Sequence, residues 1–445
     1  MQLFCIMVQF FHWFAMQVRK ILLGGGKMVR MPKFVIPVCV LVISLVISFV
    51  PVAQAAKPVR IGFGMALTGG LALAGRAAVL AMKIWRDDVN KRGGLLGRKV
   101  ELVYYDDKTK PAEVPAIYAK LIDVDKVDFV VSGYGTNLIV PAIPTVADRK
   151  MVFMTLFGLA ANSKLKYRYY FQIMPAGPKP MTDWSNGYFE IAAKQRPKPK
   201  TIAFLAADAE FARNAVKGAR KNAKKYGFKI VYDKTYPPKT ADFTPTLRAI
   251  KAVNADLVYI ASYPPGSVGV TKAAKEIGLK PKLFGGTMVG LQYAAFLTNL
   301  GPMLNGLVNY DFWVPETTLD FPGIEEFLRK YQARAPKEKL DPLGHYLPPF
   351  AYSYVQILGQ AIEATKSFDQ KTVGEYIRTH EFTTVVGKVK FAPNGEWATT
   401  RMLMVQYQNI VGNDVKQFFG PGKRVVLYPK SVRSGNIIYP FPGFK

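Results

Sequence analysis

Twice along this chain, short apolar runs alternate with amphipathic stretches in a strand, helix, strand rhythm. That repetition constrains the fold more than any other feature, because it is the pattern of parallel α/β layers. In the first series, residues 59–65 read as a buried strand. Residues 75–90 read as a helix with Val79, Leu80, Met82, Ile84 and Trp85 on or near one face. A strand over 99–105, a helix over 112–122, and strands over 127–131 and 151–155 complete it. The rhythm restarts with strands over 201–206, 229–236 and 257–261, separated by helices over 210–226 and 244–253. A helix over 268–277 and the run Leu283-Phe284-Gly285-Gly286 close it. Right-handed crossovers place helices on both faces of each sheet, so two similar domains are expected. Beyond residue 307 a strand, helices over 324–333 and 352–365, and a β-rich tail imply that the chain crosses between lobes more than once.

The start of the chain sets the expected compartment. Lys27, Arg30 and Lys33 precede an uncharged run over 34–50, followed by Val52-Ala53-Gln54-Ala55-Ala56. A basic segment, an apolar core and small residues at an A-x-A site form a secretory signal pattern, so cleavage near Ala55 and export to the periplasm are expected. The run is 17 residues long and contains Pro37, short for spanning roughly 30 Å of hydrocarbon. Met28 or Met31 is a more ordinary start than Met1, which suggests an over-extended N-terminus. Cys5 and Cys39 both lie in this leader, so the exported part contains no disulfide. Val38 before Cys39 does not fit a lipid-attachment site.

Charge excludes less than it suggests. The net charge is +29, and the leader holds five of the 60 Lys and Arg. Such an excess suits nucleic acid, an anionic ligand or an acidic surface. The densest run, residues 217–225, falls on a helix whose apolar stripe is Phe211, Ala215, Ala219, Ala223 and Tyr226. The lysines then occupy the solvated face. No nucleic-acid motif accompanies them, and no nucleic-acid partner is expected.

Four ordered blocks carry a resemblance. The first runs from Ile61-Gly62-Phe63-Gly64-Met65-Ala66-Leu67-Thr68-Gly69 through Gly75 and Asn90-Lys91-Arg92-Gly93-Gly94-Leu95-Leu96-Gly97 to Asp106-Asp107. The others are Asp242-Phe243-Thr244-Pro245 with Ala255-Asp256-Leu257-Val258, Gly278-Leu279-Lys280 before Gly285-Gly286, and residues 384–395. Together they resemble the Leu/Ile/Val-binding (type I) periplasmic substrate-binding proteins of ABC importers. The resemblance implies two doubly wound α/β lobes joined by a three-strand hinge, with a ligand cleft between them. It places lobe I over 57–175 plus 312–385 and lobe II over 176–311 plus 386–445. It also implies capture of a small molecule by hinge closure, delivery to permease subunits, and a monomer without a cofactor. A binding protein that feeds a receptor is the alternative.

Ligands of doubly wound folds sit beyond the carboxyl ends of strands. Three loops meet that description: Thr68-Gly69-Gly70, Tyr134-Gly135-Thr136-Asn137, and Thr155-Leu156-Phe157-Gly158-Leu159-Ala160. The resemblance implies that the second and third hold a ligand carboxylate, with Thr136 where the family has a serine and Thr155 or the Gly158–Ala160 backbone near the second anchor. Thr136 as a plain helix cap satisfies the same geometry. Phe211 and Tyr263 match aromatic positions of the opposite wall, although Phe211 also belongs to its helix's buried stripe. Family members that bind amino acids carry an acid in the loop after the Gly-Gly strand. Here that loop reads Gly286-Thr287-Met288-Val289-Gly290-Leu291-Gln292-Tyr293, with no acid. An unpaired buried ammonium is costly, and with Phe157, Phe211, Tyr263 and Met288 as walls the expected ligand is an aromatic or aliphatic carboxylate, or a hydrophobic amino acid held by a substitute such as Asp208 or Glu210.

Catalysis is not expected. His345 and His380, the histidines beyond the leader, lie in no metal-binding spacing. Pro265 replaces the first glycine of a G-x-S-x-G elbow at Ser267, and Gly62, Gly64 and Gly69 are misplaced for a dinucleotide fingerprint. Asp123, Asp125 and Asp128 look like a metal cluster, but the resemblance implies instead the turn before a strand that they match in the family.

Overall fold

A computed structural model divides the chain into Met1–Ala56 and Lys57–Lys445. The structure describes residues 56–444 together with Met16. The expected leader, its cleavage near Ala55 and the alternative starts therefore lie outside the described residues. No helix among the described residues is long and apolar enough to cross a membrane.

The first series folds as β1 (Val59–Met65), α1 (Ala72–Lys91), β2 (Val100–Asp106), α2 (Val114–Ala119), β3 (Phe129–Tyr134), α3 (Thr136–Ile139), α4 (Ala142–Asp148), β4 (Phe153–Leu156) and β5 (Tyr170–Gln172). Its strands form a five-stranded sheet in the order β2-β1-β3-β4-β5, parallel throughout. Strands buried on both faces need near-continuous apolar runs, which Phe129-Val130-Val131 supplies. The helix expected over 112–122 is broken into a 3₁₀ turn at Pro111–Glu113, α2, and a π turn at Lys120–Val124. Pro115 has no N–H to donate and crowds the preceding turn, so a regular α-helix begins there and cannot run through.

The second series comprises α5 (Pro180–Ala193), β6 (Thr201–Ala207), α6 (Glu210–Lys225), β7 (Lys229–Tyr236), α7 (Thr244–Ala252), β8 (Leu257–Ser262), α8 (Pro264–Glu276), β9 (Leu283–Met288), α9 (Ala294–Leu300) and β10 (Val308–Asp311). The remainder adds α10 (Ile324–Arg334), α11 (Pro348–Thr365), α12 (Gln370–Thr379), a hairpin of β11 (Glu381–Thr384) and β12 (Gly387–Lys390), then β13 (Leu403–Tyr407) and β14 (Arg424–Tyr428). The second sheet runs β14-β13-β10-β9-β8-β6-β7, with β13 antiparallel to both its neighbours and the other pairs parallel. Helix α11 returns to pack on α1 and β4 of the first sheet. The chain thus passes between the layers of the two sheets after Gln172, after Asp311, and between Lys390 and Leu403. This is the mixed α/β, two-lobed architecture expected of the sequence.

Helix α6 shows how the pattern becomes packing. Phe211, Ala215, Ala219 and Ala223 are buried, while Lys217, Lys221 and Lys224 face solvent. Glu210 in the first turn and Lys224 and Lys225 in the last complement the helix dipole. The helix lies so close to α5 that a Cβ at Gly218 would stand 1.8 Å from the Met181 carbonyl oxygen. One apolar cluster extends from the first sheet into the second, and a separate one covers the other face of the first sheet.

Replacing a mid-helix glycine with alanine normally stabilises by up to about 1 kcal/mol. Steric overlap with backbone reverses the sign here, so Gly218→Ala is expected to destabilise the protein by about 1–3 kcal/mol. Urea denaturation of the two proteins checks this; a raised midpoint for the variant would show that α5 and α6 are not in close contact.

Candidate functional site

Each sheet has a point where strand order reverses: between β1 and β3 in the first, and between β6 and β8 in the second. Loops leaving the carboxyl ends on either side of such a point diverge and leave a crevice. Between the two sheets lies a cavity of about 30 Å³ lined from both of these edges. Leu71 after β1, Tyr134 to Asn137 after β3, and Phe157 after β4 come from the first sheet. Phe211 after β6, Tyr263 after β8 and Val289 after β9 come from the second, and Tyr346 enters from the turn before α11.

Asn137 joins the two sides. Its Oδ1 accepts from the Phe211 N–H at 3.2 Å and from the Tyr263 hydroxyl at 3.1 Å. Asn214 of α6 also donates to the Leu159 carbonyl at 3.0 Å. Thr136 Oγ1 accepts from the Leu159 N–H at 2.9 Å, so this hydroxyl fastens the second loop to the third. Helix α3 is a single turn, which sums little macrodipole.

Phe157 stands at the centre. Its ring lies 4.5 Å from Phe312, 5.4 Å from Tyr346 and 5.2 Å from Phe350. On the other side Trp184 of α5 contacts Phe211, Tyr310 and Phe312, and its indole N–H donates to Thr287 at 2.9 Å. Phe157 holds a left-handed backbone conformation, φ +66°, which costs a non-glycine residue about 1–2 kcal/mol. Gln172 holds it there: its Oε1 accepts from the Phe157 and Met174 N–H groups, and its Nε2 donates to the Gly158 carbonyl at 3.0 Å.

The structure therefore brings together Tyr134, Thr136, Asn137, Phe157, Phe211 and Tyr263. It does not bring the other predicted residues to the cavity wall. Thr68 is exposed and donates to Asp106 at 2.6 Å, while Gly69 packs over Lys108 and Thr109. Thr155 is buried beneath the loop, donating to the Phe171 carbonyl. Gly158 faces Gln172, and Ala160 turns in the left-handed region at φ +56°. Met288 has both backbone groups paired with the Asn309 side chain, and its neighbour Val289 reaches the wall instead. Tyr346 is absent from the sequence reading; the signal for it is Pro348-Pro349, which fixes a helix start and puts the preceding residues at its mouth.

Among the described residues no charged side chain lines this cavity. Asp208 pairs with Arg213 at 2.8 Å, and Glu210 does not reach the wall. Asp341 is buried nearby, but it accepts from the N–H groups of Ala294, Gly344 and Leu343. Burial pushes its carboxyl up to about 6, as it does for Asp311 despite the neighbouring Arg424. Burial likewise raises the phenols of Tyr134, Tyr263 and Tyr346, which stay protonated as donors. The three aspartates that resembled a metal cluster are otherwise engaged: Asp123 pairs with Arg149, Asp125 with Lys120, and Asp128 with Arg98. Among the described residues no group of His, Cys, Asp and Glu is arranged to hold a metal ion.

The family model for periplasmic binding proteins matches residues 58–413 of this chain. A leucine-, isoleucine-, valine-, threonine- and alanine-binding protein of Pseudomonas aeruginosa is 25% identical over 350 residues, covering 78% of this chain and 90% of that protein. Two solved structures share the fold. A solute-binding protein of an R. palustris ABC transporter, in complex with 4-hydroxybenzoate, aligns with TM-score 0.69 at 20% identity over 80% of this chain and 95% of its own. A branched-chain amino acid transporter substrate-binding protein of Streptococcus pneumoniae, in complex with isoleucine, aligns with TM-score 0.67 at 18% identity over 83% of this chain and 100% of its own.

Two predictions follow from this geometry. Asn137→Ala leaves the Tyr263 hydroxyl and the Phe211 N–H without their acceptor, weakening the joined arrangement by about 1–3 kcal/mol. Small-angle scattering of the ligand-free protein should then show a larger radius of gyration, and an unchanged value would contradict the bridging role. The second concerns pH. Asp311 and Asp341 titrate near 6 when folded against 3.8 in their ordinary state, so between those values the folded chain binds more protons than the unfolded one. Their contribution is full below about pH 4 and is lost as pH rises through 6. Asp341→Asn should flatten the fall in denaturation free energy between pH 4.5 and 6.5; an unaltered slope would remove Asp341 as its source.

Proposed function

This chain belongs to the periplasmic binding protein family, of the type associated with branched-chain amino acid ABC transporters, and from that premise we propose that it captures a small aromatic carboxylate between its two sheets. The observation that carries this reading is the cavity wall. It has no charge of either sign, and its rings are Tyr134, Phe157, Phe211, Tyr263 and Tyr346. A zwitterionic amino acid would bring an ammonium group with no counter-charge, which is costly in a buried site. A carboxylate instead finds neutral donors, since the Tyr134 and Thr136 hydroxyls and the Asn137 amide N–H groups can direct protons at it, while the Tyr263 proton is held by Asn137 Oδ1. The rings offer edge and face contacts to an aromatic body. The R. palustris relative solved with 4-hydroxybenzoate is consistent with this class on the same fold.

A cavity of about 30 Å³ holds only one or two waters, so a ligand enters by parting the two layers or by swinging Phe157 aside. In this reading lobe I is 57–175 plus 312–385, and lobe II is 176–311 plus 386–445. The three passages between the sheets act as the hinge. Ligand contacts with both walls favour the closed state by differential affinity. The exported protein, cleaved near Ala55, works as a periplasmic monomer that hands its cargo to permease subunits. Loss of uptake on gene deletion supports delivery; retained uptake with lost transcriptional or chemotactic response points to a receptor.

Isothermal titration of the chain from Ala56 onward with 4-hydroxybenzoate, benzoate, phenylacetate and leucine tests the ligand class. At least one aromatic acid is expected to bind 10-fold or more tightly than leucine, about 1.4 kcal/mol. Leucine binding with no response to the three acids would overturn the reading.

A further inference from the structure

A second and larger cavity, of about 570 Å³, opens on the side of the molecule where the chain leaves the second sheet after β10. Its wall is built from the crossing segment after Asp311, from α10, and from the turn before β14. Trp313, Leu319, Ile324, Leu328 and Phe419 make it apolar. The segment is pinned: the Trp313 indole donates to the Leu319 carbonyl at 2.8 Å, and Glu316 accepts from the Gly422 N–H at 2.8 Å. The cleft is thus held open by fixed elements rather than by loose side chains.

Its polar groups have one sign in excess. Among the described residues Glu316, Asp320 and Glu325 stand on the wall against one cation, Arg329, in a chain whose net charge is +29. Asp320 and Glu325 are exposed and form no ion pair among the described residues. At the base lies His345, 1% exposed. Arg424 Nη2 contacts His345 Nδ1 at 2.5 Å and Arg424 Nη1 contacts Asp311 at 3.3 Å. A guanidinium can only donate, so Nδ1 accepts and the ring proton sits on Nε2. That Nε2–H has no protein acceptor among the described residues. Burial, and then the Arg424 charge, hold the imidazole well below its usual pKa and therefore neutral.

The two cavities share two pairs of adjacent residues. Trp313 and His345 line the second, while Phe312 packs on Phe157 and Tyr346 lines the first. Phe312 and Tyr346 also stack on each other at 5.5 Å. Anything that moves Trp313 or His345 therefore pulls on the wall of the inter-sheet cavity.

We propose that this cleft is a second ligand site, for a small organic cation with an aromatic or aliphatic body, coupled to the inter-sheet cavity through Phe312-Trp313 and His345-Tyr346. The carboxylates compensate the cation, and the Trp313 and Phe419 rings receive its body and can contact the charge face-on; the His345 Nε2–H, being a donor, faces the ring of the ligand's body and not its ammonium. A ligand here favours whichever arrangement of Phe312 and Tyr346 it binds better, and by linkage the cargo alters its affinity in return.

Phenethylammonium chloride is the probe. Titration calorimetry should show saturable millimolar or tighter binding to the wild-type chain. The double variant D320N/E325Q, altered only at exposed positions, should weaken it at least about fivefold. Hydrogen–deuterium exchange should change in peptides covering 311–320 and 343–347 and also in the one covering 155–160. No saturable binding overturns the site. So does binding kept at full strength in the double variant, because the probe then sits away from these carboxylates. Protection confined to 311–320 and 343–347 overturns the coupling.

Discussion

The rest of this structure depends on one constraint, which is that the loops carrying the cavity wall, apart from the turn that supplies Tyr346, leave the same end of parallel strands. A parallel strand needs a crossover to return, and the crossover helix occupies the sheet face. The carboxyl edge is then left to the short loops. Two such edges facing each other place Tyr134 to Asn137 and Phe157 opposite Phe211, Tyr263 and Val289. Asn137 converts proximity into attachment, because one amide oxygen serves donors from both β6 and β8 loops. Gln172 performs the matching task within the first sheet, holding Phe157 in a backbone conformation it would otherwise leave.

Much of this was legible from the residues, and the failures have physical causes. Runs such as Phe129-Val130-Val131 and Leu257-Val258-Tyr259-Ile260 announce buried strands whatever surrounds them. The amphipathic stripe of α6 announces its own buried face. Helix α5 gives no such signal: Trp184, Tyr188 and Phe189 are strand-forming residues and Gly187 weakens a helix, so tertiary packing decides the outcome. It is nonetheless the helix that brings Trp184 to the aromatic cluster. Loops after strands could be named as the site, and six of the predicted residues do line the cavity. Which loop residue turns inward depends on register: Met288 is the last residue of β9 and is buried against Asn309, and one step further Val289 faces the cavity. Thr68 was a fair candidate by position, but Asp106 at the end of β2 captures its hydroxyl. Tyr346 precedes Pro348-Pro349, which marks a helix start, but local pattern does not say which sheet edge that start faces.

Charge is distributed with a consistent logic. The chain carries a net charge of +29, the inter-sheet cavity is lined by neutral residues, and two buried acids, Asp341 and Asp311, are held by other partners. Asp341 spends its oxygens on backbone N–H groups, and Asp311 with Arg424 and His345 forms a compensated set at the base of the second cleft. The nearby acids are committed elsewhere, which leaves the wall without a charge among the described residues. Phe312 and Tyr346 are the residues through which that buried set and the cavity wall meet.

The central claim is that an aromatic carboxylate binds between the two carboxyl edges. A crystal structure of the chain from Ala56 onward, grown with 4-hydroxybenzoate, tests it most directly. The account predicts density for the ring among Phe157, Phe211, Tyr263 and Tyr346, with the carboxylate within hydrogen-bond distance of hydroxyl or amide donors of the 134–137 loop. A ligand found outside this cavity, or an inter-sheet space still closed by the same side chains at saturating acid, would contradict it.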